Sequence, residues 1–288
     1  MKHEGERNVA ASVRQRLLNI ASKENAGFGF VLTRYALERV LYRLSRSPHQ
    51  SSFVLKGALL FHVWADAPHR PTKRSRPSWP RKLVHRCRDE FREICAIETE
   101  PDGLVFSTGT ITAEKIKEDQ EYEGVRVKFI AKLENARISI QVDIGFGDAV
   151  TPELVDYPTL LASPAPRILA YPMEAVIAEK VEAMVHLGML NSRMKDFFDV
   201  WFLAKTFPFP SGKVQHAIEA TFARRGTELN IGRMAKLLFD LAGDANKSVQ
   251  WRAFLRKSSL AAPPQFAIIA EEIRKFLAGQ LAASDSTR

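Results

Sequence analysis

Four groups of residues in this 288-residue chain have types and spacing that could do chemistry. Lys56-Gly57 follows the apolar run Phe53-Val54-Leu55 and precedes a helical apolar run from Leu59 to Trp64. Glycine lets a backbone approach closely, a helix N-terminus favours anions and lysine adds a point charge, so this turn could cradle a phosphate. A Lys-Gly turn adopted for steric reasons alone is the alternative. Asp143 lies at the polar end of the strand ARISIQVDIG and could be one carboxylate of a Mg²⁺ site, which uses one or two carboxylates plus substrate phosphates. Lys180 stands four residues after Val176, three after Ile177 and four before Met184, on the apolar stripe of a helix. There it is either paired and functional or snorkelling from the stripe's edge. Asp196 and Asp199 fall one turn apart in SRMKDFFDVWFLAK, with Arg193 and Lys195 nearby; an ion-pair network within that helix is the plain reading.

The elements that must position these residues are legible as periodicities. Residues 8–22 and 27–46 carry apolar positions at three- and four-residue spacing and predict two amphipathic helices ahead of the first strand. Arg14, Arg16, Arg39 and Arg43 read as a solvated helix face, with contact to RNA as the alternative. A short strand is expected at Leu104-Val105-Phe106, then a polar region to Glu123. Val125, Val127, Phe129, Ala131 and Leu133 alternate with polar neighbours, as do Ala136, Ile138, Ile140, Val142 and Ile144. With Glu134-Asn135 between them, the two runs predict an antiparallel hairpin. From Tyr171 the pattern is helical: 173–190, 193–206, 212–225, 230–242, 247–257 and 264–282. The Pro-rich link 151–167 separates an α+β region, residues 1–165, from a helical region, 166–288. The closing AASDSTR has the composition of a disordered tail.

Composition, 45% hydrophobic and 26% charged, is that of a globular protein. No run of eighteen apolar residues and no h-region occurs, so neither a membrane span nor a secretory signal is indicated and a cytoplasmic protein is expected. Cys87 and Cys95 are too few for a disulfide framework and lack zinc spacing; both read as free thiols. The net charge of +9 would suggest a polyanionic partner, but Lys73, Arg74, Arg76, Arg81, Lys82, Arg86 and Arg88 supply seven of the nine, and residues 73–88 contain no acid. The excess basicity is confined to one stretch.

The segments KGALLFHVW, APHRPTK, FREI, EYEGVRVKF, QVDIGFGDAVTP, YPMEAVIAEKVEAMVHLGMLNSRMKDFFDVW and FARRGT resemble those of the AbiEii/AbiGii-type nucleotidyltransferase toxins of bacterial abortive-infection and toxin–antitoxin systems. The resemblance spans nearly the whole chain. It implies a nucleotidyltransferase-like mixed sheet with flanking helices, followed by an all-helical C-terminal region. It further implies transfer of nucleotides from an NTP to an RNA acceptor, tRNA in characterised relatives, with Mg²⁺ as cofactor and a cognate antitoxin as partner. By the same resemblance Lys56 and Gly57 sit at the nucleotide phosphates, Asp143 is a metal-binding catalytic carboxylate, Lys180 contacts the nucleotide and Asp196 supports the site.

One departure is severe. After a segment like HRPTK the family carries an Asp-x-Asp strand of the form DLDLLG, a Gly/Ser-rich turn and SIDA. This chain has Arg74-Ser75-Arg76-Pro77-Ser78-Trp79-Pro80. Without those aspartates the triphosphate lacks its organising cation, and the chain is expected to be impaired. The codons for residues 74–88, read one base downstream, permit DLDLLGPGSSSIDA. A base gained near Lys73 and one lost near Asp89 would therefore replace the strand and leave FREI in frame. Residues 74–88 are expected to be irregular, because Pro77 cannot donate to a ladder, with Lys56 and Gly57 near Asp143, Lys180 and Asp196. The alternatives are a non-catalytic RNA-binding protein using the basic segment 73–88 and an unrelated enzyme using Asp143, Asp148 and Asp196.

Overall fold

The computed structural model describes residues 2–64, 81–116, 124–146, 150–210, 212–258 and 260–282, with side chains from residue 8 onward and, in the second stretch, from residue 83. Arg74 to Pro80, Asp148 and residues 283–288, on which three of the sequence readings rest, lie outside the described residues. The chain divides into two units. The first holds residues 1–148 and 152–170, the second residues 149–151 and 171–288.

In the first unit α1 (Lys2–Lys23) and α2 (Phe28–Ser45) precede β1 (Val54–Leu55), α3 (Leu60–Trp64), α4 (Arg81–Ala96), β2 (Leu104–Ile116), β3 (Gly124–Leu133), β4 (Ala136–Ile144), β5 (Glu153–Asp156) and β6 (Arg167–Ala170). Its described strands form two three-stranded sheets. One is mixed, β1-β6-β5, with β1 parallel and β5 antiparallel to β6. The other is the antiparallel meander β2-β3-β4. The β3–β4 hairpin has the expected register, with Leu133 opposite Ala136 and Arg126 opposite Asp143. Its alternating apolar residues from Val125 to Leu133 are buried. β2 is longer than the three residues expected. A register shift between Ser107 and Thr112 breaks its period-two pattern, and its middle is rich in Thr, which favours strands without adding hydrophobicity.

The helix α2 packs against α1, α4, β4 and β6. This position overturns the solvated reading of two of its arginines. Arg39 and Arg43 are buried, and their guanidinium groups meet the Asp102 carboxylate at 3.1 and 2.6 Å. Asp102 Oδ1 also accepts the Leu104 N–H, and the Tyr35 hydroxyl donates to the Asp102 carbonyl. The cluster therefore ties the start of β2 to α2; Arg16 remains exposed. On the same helix, Glu38 accepts the Leu160 N–H at 2.7 Å and Arg39 donates to the Pro164 carbonyl, fastening the Pro-rich link. Burial pushes the Glu38 carboxyl up to about 7.

Residues 81–88 are not irregular: they form the first half of α4. Leu83, Val84, Cys87, Phe91, Ile94 and Cys95 follow helical spacing, so one stripe runs through both halves of the helix and packs on β2 and β3. Both cysteines are free and buried in that stripe. Burial raises their thiols to about 11 and about 12, which makes them packing groups rather than nucleophiles.

The second unit contains α5 (Met173–Leu187), α6 (Met194–Thr206), α7 (Lys213–Arg225), α8 (Ile231–Gly243), α9 (Ala245–Ser258) and α10 (Phe266–Ala282). A 3₁₀ turn, Gly188–Leu190, links α5 to α6. Its core includes Phe197, Phe222, Trp251, Phe266, Ile269 and Ile273. Among the described residues no helix is long and apolar enough to cross a membrane.

Candidate active site

Lys56 and Gly57 turn the chain from β1 toward α3, as the sequence predicts. Gly57 has φ +84°, a left-handed conformation that other residues adopt at a cost. The turn is tighter than a full helix start. The N–H groups of Leu60, Phe61 and His62 bond the carbonyls of Gly57, Ala58 and Leu59 at 3.1–3.2 Å, and α3 has only five residues. Those donors are committed to the turn. The anion-attracting helix terminus expected after Gly57 is correspondingly reduced to the glycine's close approach and the lysine's charge.

Asp143 closes β4, on a different sheet from β1. Its carboxylate is fully engaged. Arg126, directly opposite on β3, donates Nε to Oδ1 at 2.7 Å and Nη2 to Oδ2 at 3.1 Å, and Gln141 Nε2 donates to Oδ1 at 3.1 Å. This forked pairing matches guanidinium to carboxylate and is strong for a partly buried pair.

In the second unit the structure brings Lys180 and Asp196 together, with Asp199. From α5, Lys180 Nζ lies 2.7 Å from Asp196 Oδ1 and 2.6 Å from Asp199 Oδ2, both on α6. Within α6, Lys195 reaches Asp199 at 2.9 Å and Arg193 reaches Asp196 at 2.7 Å. Both readings of this region hold at once: α6 has its internal ion pairs, and the lysine on the α5 stripe is paired rather than snorkelling. Burial disfavours the charge on Lys180, but two carboxylates at contact distance outweigh it and raise its ammonium above the ordinary range. For Lys195 burial wins and lowers its ammonium, because it has Asp199 and faces Lys180 as a like charge.

The sequence names Asp199 only as part of an ion-pair network within α6, yet it is the most buried member of the group, with no side-chain exposure, and reaches Lys180 on α5. Its spacing of three from Asp196 was the available signal. A second network on α5 was not foreseen: Glu182 is bonded by Arg225 and by Thr227 Oγ1, and Glu179 faces Arg224 and Arg225 at 3.8 and 3.7 Å. It locks the end of α7 to α5.

With this geometry established, residues 76–278 match the family described as nucleotidyl transferase AbiEii toxin, type IV TA system. The chain belongs to the AbiEii nucleotidyltransferase toxin family. No curated protein and no solved structure matches it. The family match covers Asp143, Lys180 and Asp196, and starts at Arg76, after the Lys56-Gly57 turn.

The resemblance leads to the expectation of a divalent cation, and the described residues do not fit one. Among the described residues no group of three His, Cys, Asp or Glu is arranged to hold a metal. Asp143 is held by a guanidinium, and Arg74 and Arg76 stand where the resemblance leads to the expectation of Asp-x-Asp. Manganese titration followed by electron paramagnetic resonance should therefore detect no stoichiometric site in the millimolar range or tighter. A site that disappears in Asp143→Asn would refute this.

The basic stretch is also partly neutralised where it is helical. Arg86 pairs with Glu90 at 2.7 Å, and Arg88 and Arg92 share Asp89. The acids just after the stretch, Asp89 and Glu90, thus reduce the cationic face that an RNA-binding role would need.

Proposed function

We propose that this AbiEii-family chain derives from an enzyme that transfers nucleotides from an NTP to an RNA acceptor, tRNA in the first instance, and that the chain as written is severely impaired in that transfer. Lys56 and Gly57 are the residues for the nucleotide phosphates, Lys180 contacts the nucleotide, and Asp196, with Asp199, fixes the Lys180 ammonium. The observation that carries the impairment is the state of Asp143. The one carboxylate remaining from the expected metal set is bonded through both oxygens to Arg126, and its Asp-x-Asp partners are replaced by Arg74-Ser75-Arg76. Phosphoryl transfer in this class depends on cations that neutralise charge developing on the phosphates. A cytoplasmic setting and a cognate antitoxin belong to the same reading.

The replacement is best accounted for by a pair of compensating frame changes. The stripe of α4 continues through Cys87 into Phe91 without a break, so the altered segment can fold onto the same sheet while the chemistry of the preceding strand is gone. Sequencing codons 73–90 is expected to reveal a downstream frame that encodes an Asp-x-Asp strand. A frame without one removes this explanation. The transfer assay that tests the function itself is to compare the chain as written with one in which residues 74–79 are replaced by DLDLLG.

A further inference from the structure

Lys247 lies in the first turn of α9 and is 4% exposed, yet its ammonium makes no ion pair among the described residues. Its Nζ donates to the Asn191 carbonyl at 2.8 Å. Asn191 is fully buried and ends the 3₁₀ turn that follows α5, so the lysine places a cation where α5 and its extension present their last carbonyls. A buried ammonium with one carbonyl acceptor is costly, and a leucine or methionine would fill similar space without desolvating a charge. What the lysine adds is a directional bond to one carbonyl.

That carbonyl belongs to the residue that sets the start of α6. Asn191 Oδ1 accepts the Arg193 N–H at 2.8 Å, and the Asn191 N–H returns to the Gly188 carbonyl at 3.1 Å. Arg193 is the N-cap of α6, and its Nε approaches Asp196 Oδ2 to 2.7 Å. This last contact is close enough for an ion pair but lacks hydrogen-bond alignment, since Asp196 Oδ2 has no hydrogen-bond partner. The other oxygen of Asp196 holds Lys180. The Asn191 amide Nδ2 is buried with no partner, so the turn is not held by a saturated network of its own. Its orientation depends on the bonds through its carbonyl, its N–H and Oδ1.

We propose that Lys247 is a positioning residue for Lys180: by clamping the Asn191 turn from α9, it sets where α6 begins and thereby where Asp196 and Asp199 hold the Lys180 ammonium. Its value to nucleotide transfer rests on the reading of Lys180 as a nucleotide contact; the positional coupling does not.

The test is acylation of the full-length chain with acetic anhydride, read lysine by lysine by peptide mass spectrometry. Lys205 and Lys236 serve as exposed references. In Lys247→Met, Lys180 should acylate several-fold faster, because displaced carboxylates leave more of it as free amine and more open to the reagent, while the references keep their rates. Lys247→Arg, which restores a donor to the carbonyl, should return Lys180 toward the wild-type rate. A folded Lys247→Met with an unchanged Lys180 rate overturns the proposal. Should Lys247→Met fail to fold, Asn191→Ala decides: it removes the Oδ1 acceptor of the Arg193 N–H through which the clamped turn sets the start of α6, and it should accelerate Lys180 acylation several-fold. No change there is equally fatal. Acylation needs no nucleotide transfer, so a failure of the activity reading leaves the result interpretable.

Discussion

Replacing residues 74–79 with DLDLLG is expected to turn a chain that moves no label into one that transfers nucleotide to tRNA. Purified protein incubated with Mg²⁺, each labelled NTP in turn and total tRNA should give no labelled RNA as written and a clear product when restored. A cation on the transferring phosphates is worth several kcal/mol, so the rates should differ by at least about a thousandfold, at roughly tenfold per 1.4 kcal/mol. The restored carboxylates also alter the position of Asp143. In the chain as written its best available cation is Arg126, bonded through two nitrogens; a divalent ion organised by Asp-x-Asp would compete for the same oxygens. Label transfer by the chain as written would remove the claim of impairment. Transfer by neither version would remove the claim about the activity while leaving family membership, which rests on residues 76–278, in place.

The largest expected effect on stability is at Asp199. It has no side-chain exposure and holds two lysines, Lys180 at 2.6 Å and Lys195 at 2.9 Å. Asp199→Ala leaves Lys180 with Asp196 and strips Lys195 of the carboxylate it pairs with in α6. Removing one member of a buried ion pair costs about 3–5 kcal/mol, because the charges that remain lose a counter-charge in a desolvated site. The control is Asp240→Ala, which breaks the Lys236–Asp240 pair on an exposed face of α8 and should cost no more than about 1 kcal/mol. Urea unfolding of the two variants measures the difference, and equal costs would contradict the picture of a buried network. The pH dependence has a definite sign. The folded Lys180 ammonium is raised above its ordinary 10.5, so its stabilising contribution is fully present below that pH and is lost as pH climbs through the higher folded value.

Much of this arrangement is readable from local pattern. The β3–β4 hairpin follows from strict alternation, and the six helices of the second unit follow from apolar spacing and Gly, Pro or Asn breaks. The position of Lys180 on a stripe marks it as either paired or snorkelling, and only the packing of α5 on α6 decides for pairing. The failures are also physical. Arg39 and Arg43 look solvated because periodicity describes the helix alone. Their counter-charge, Asp102, lies 63 and 59 residues further along the chain. Residues 81–88 look irregular because they belong to the segment that holds Pro77 and the acid-free basic run, but the apolar positions that decide helix docking are present at helical spacing.

The turn at Lys56-Gly57, the strand that carries Asp143 near its end, the Lys180 stripe and the acid-free run from Arg74 to Arg88 are all properties of residue order, since each depends on neighbours within a few positions. The pairing of β1 with β6, the capture of Asp143 by Arg126 and the choice of Asp199 as the second anchor of Lys180 required the folded chain. A buried charge is stable only beside its counter-charge, and the residues that supply it come together through long-range packing that no local period encodes.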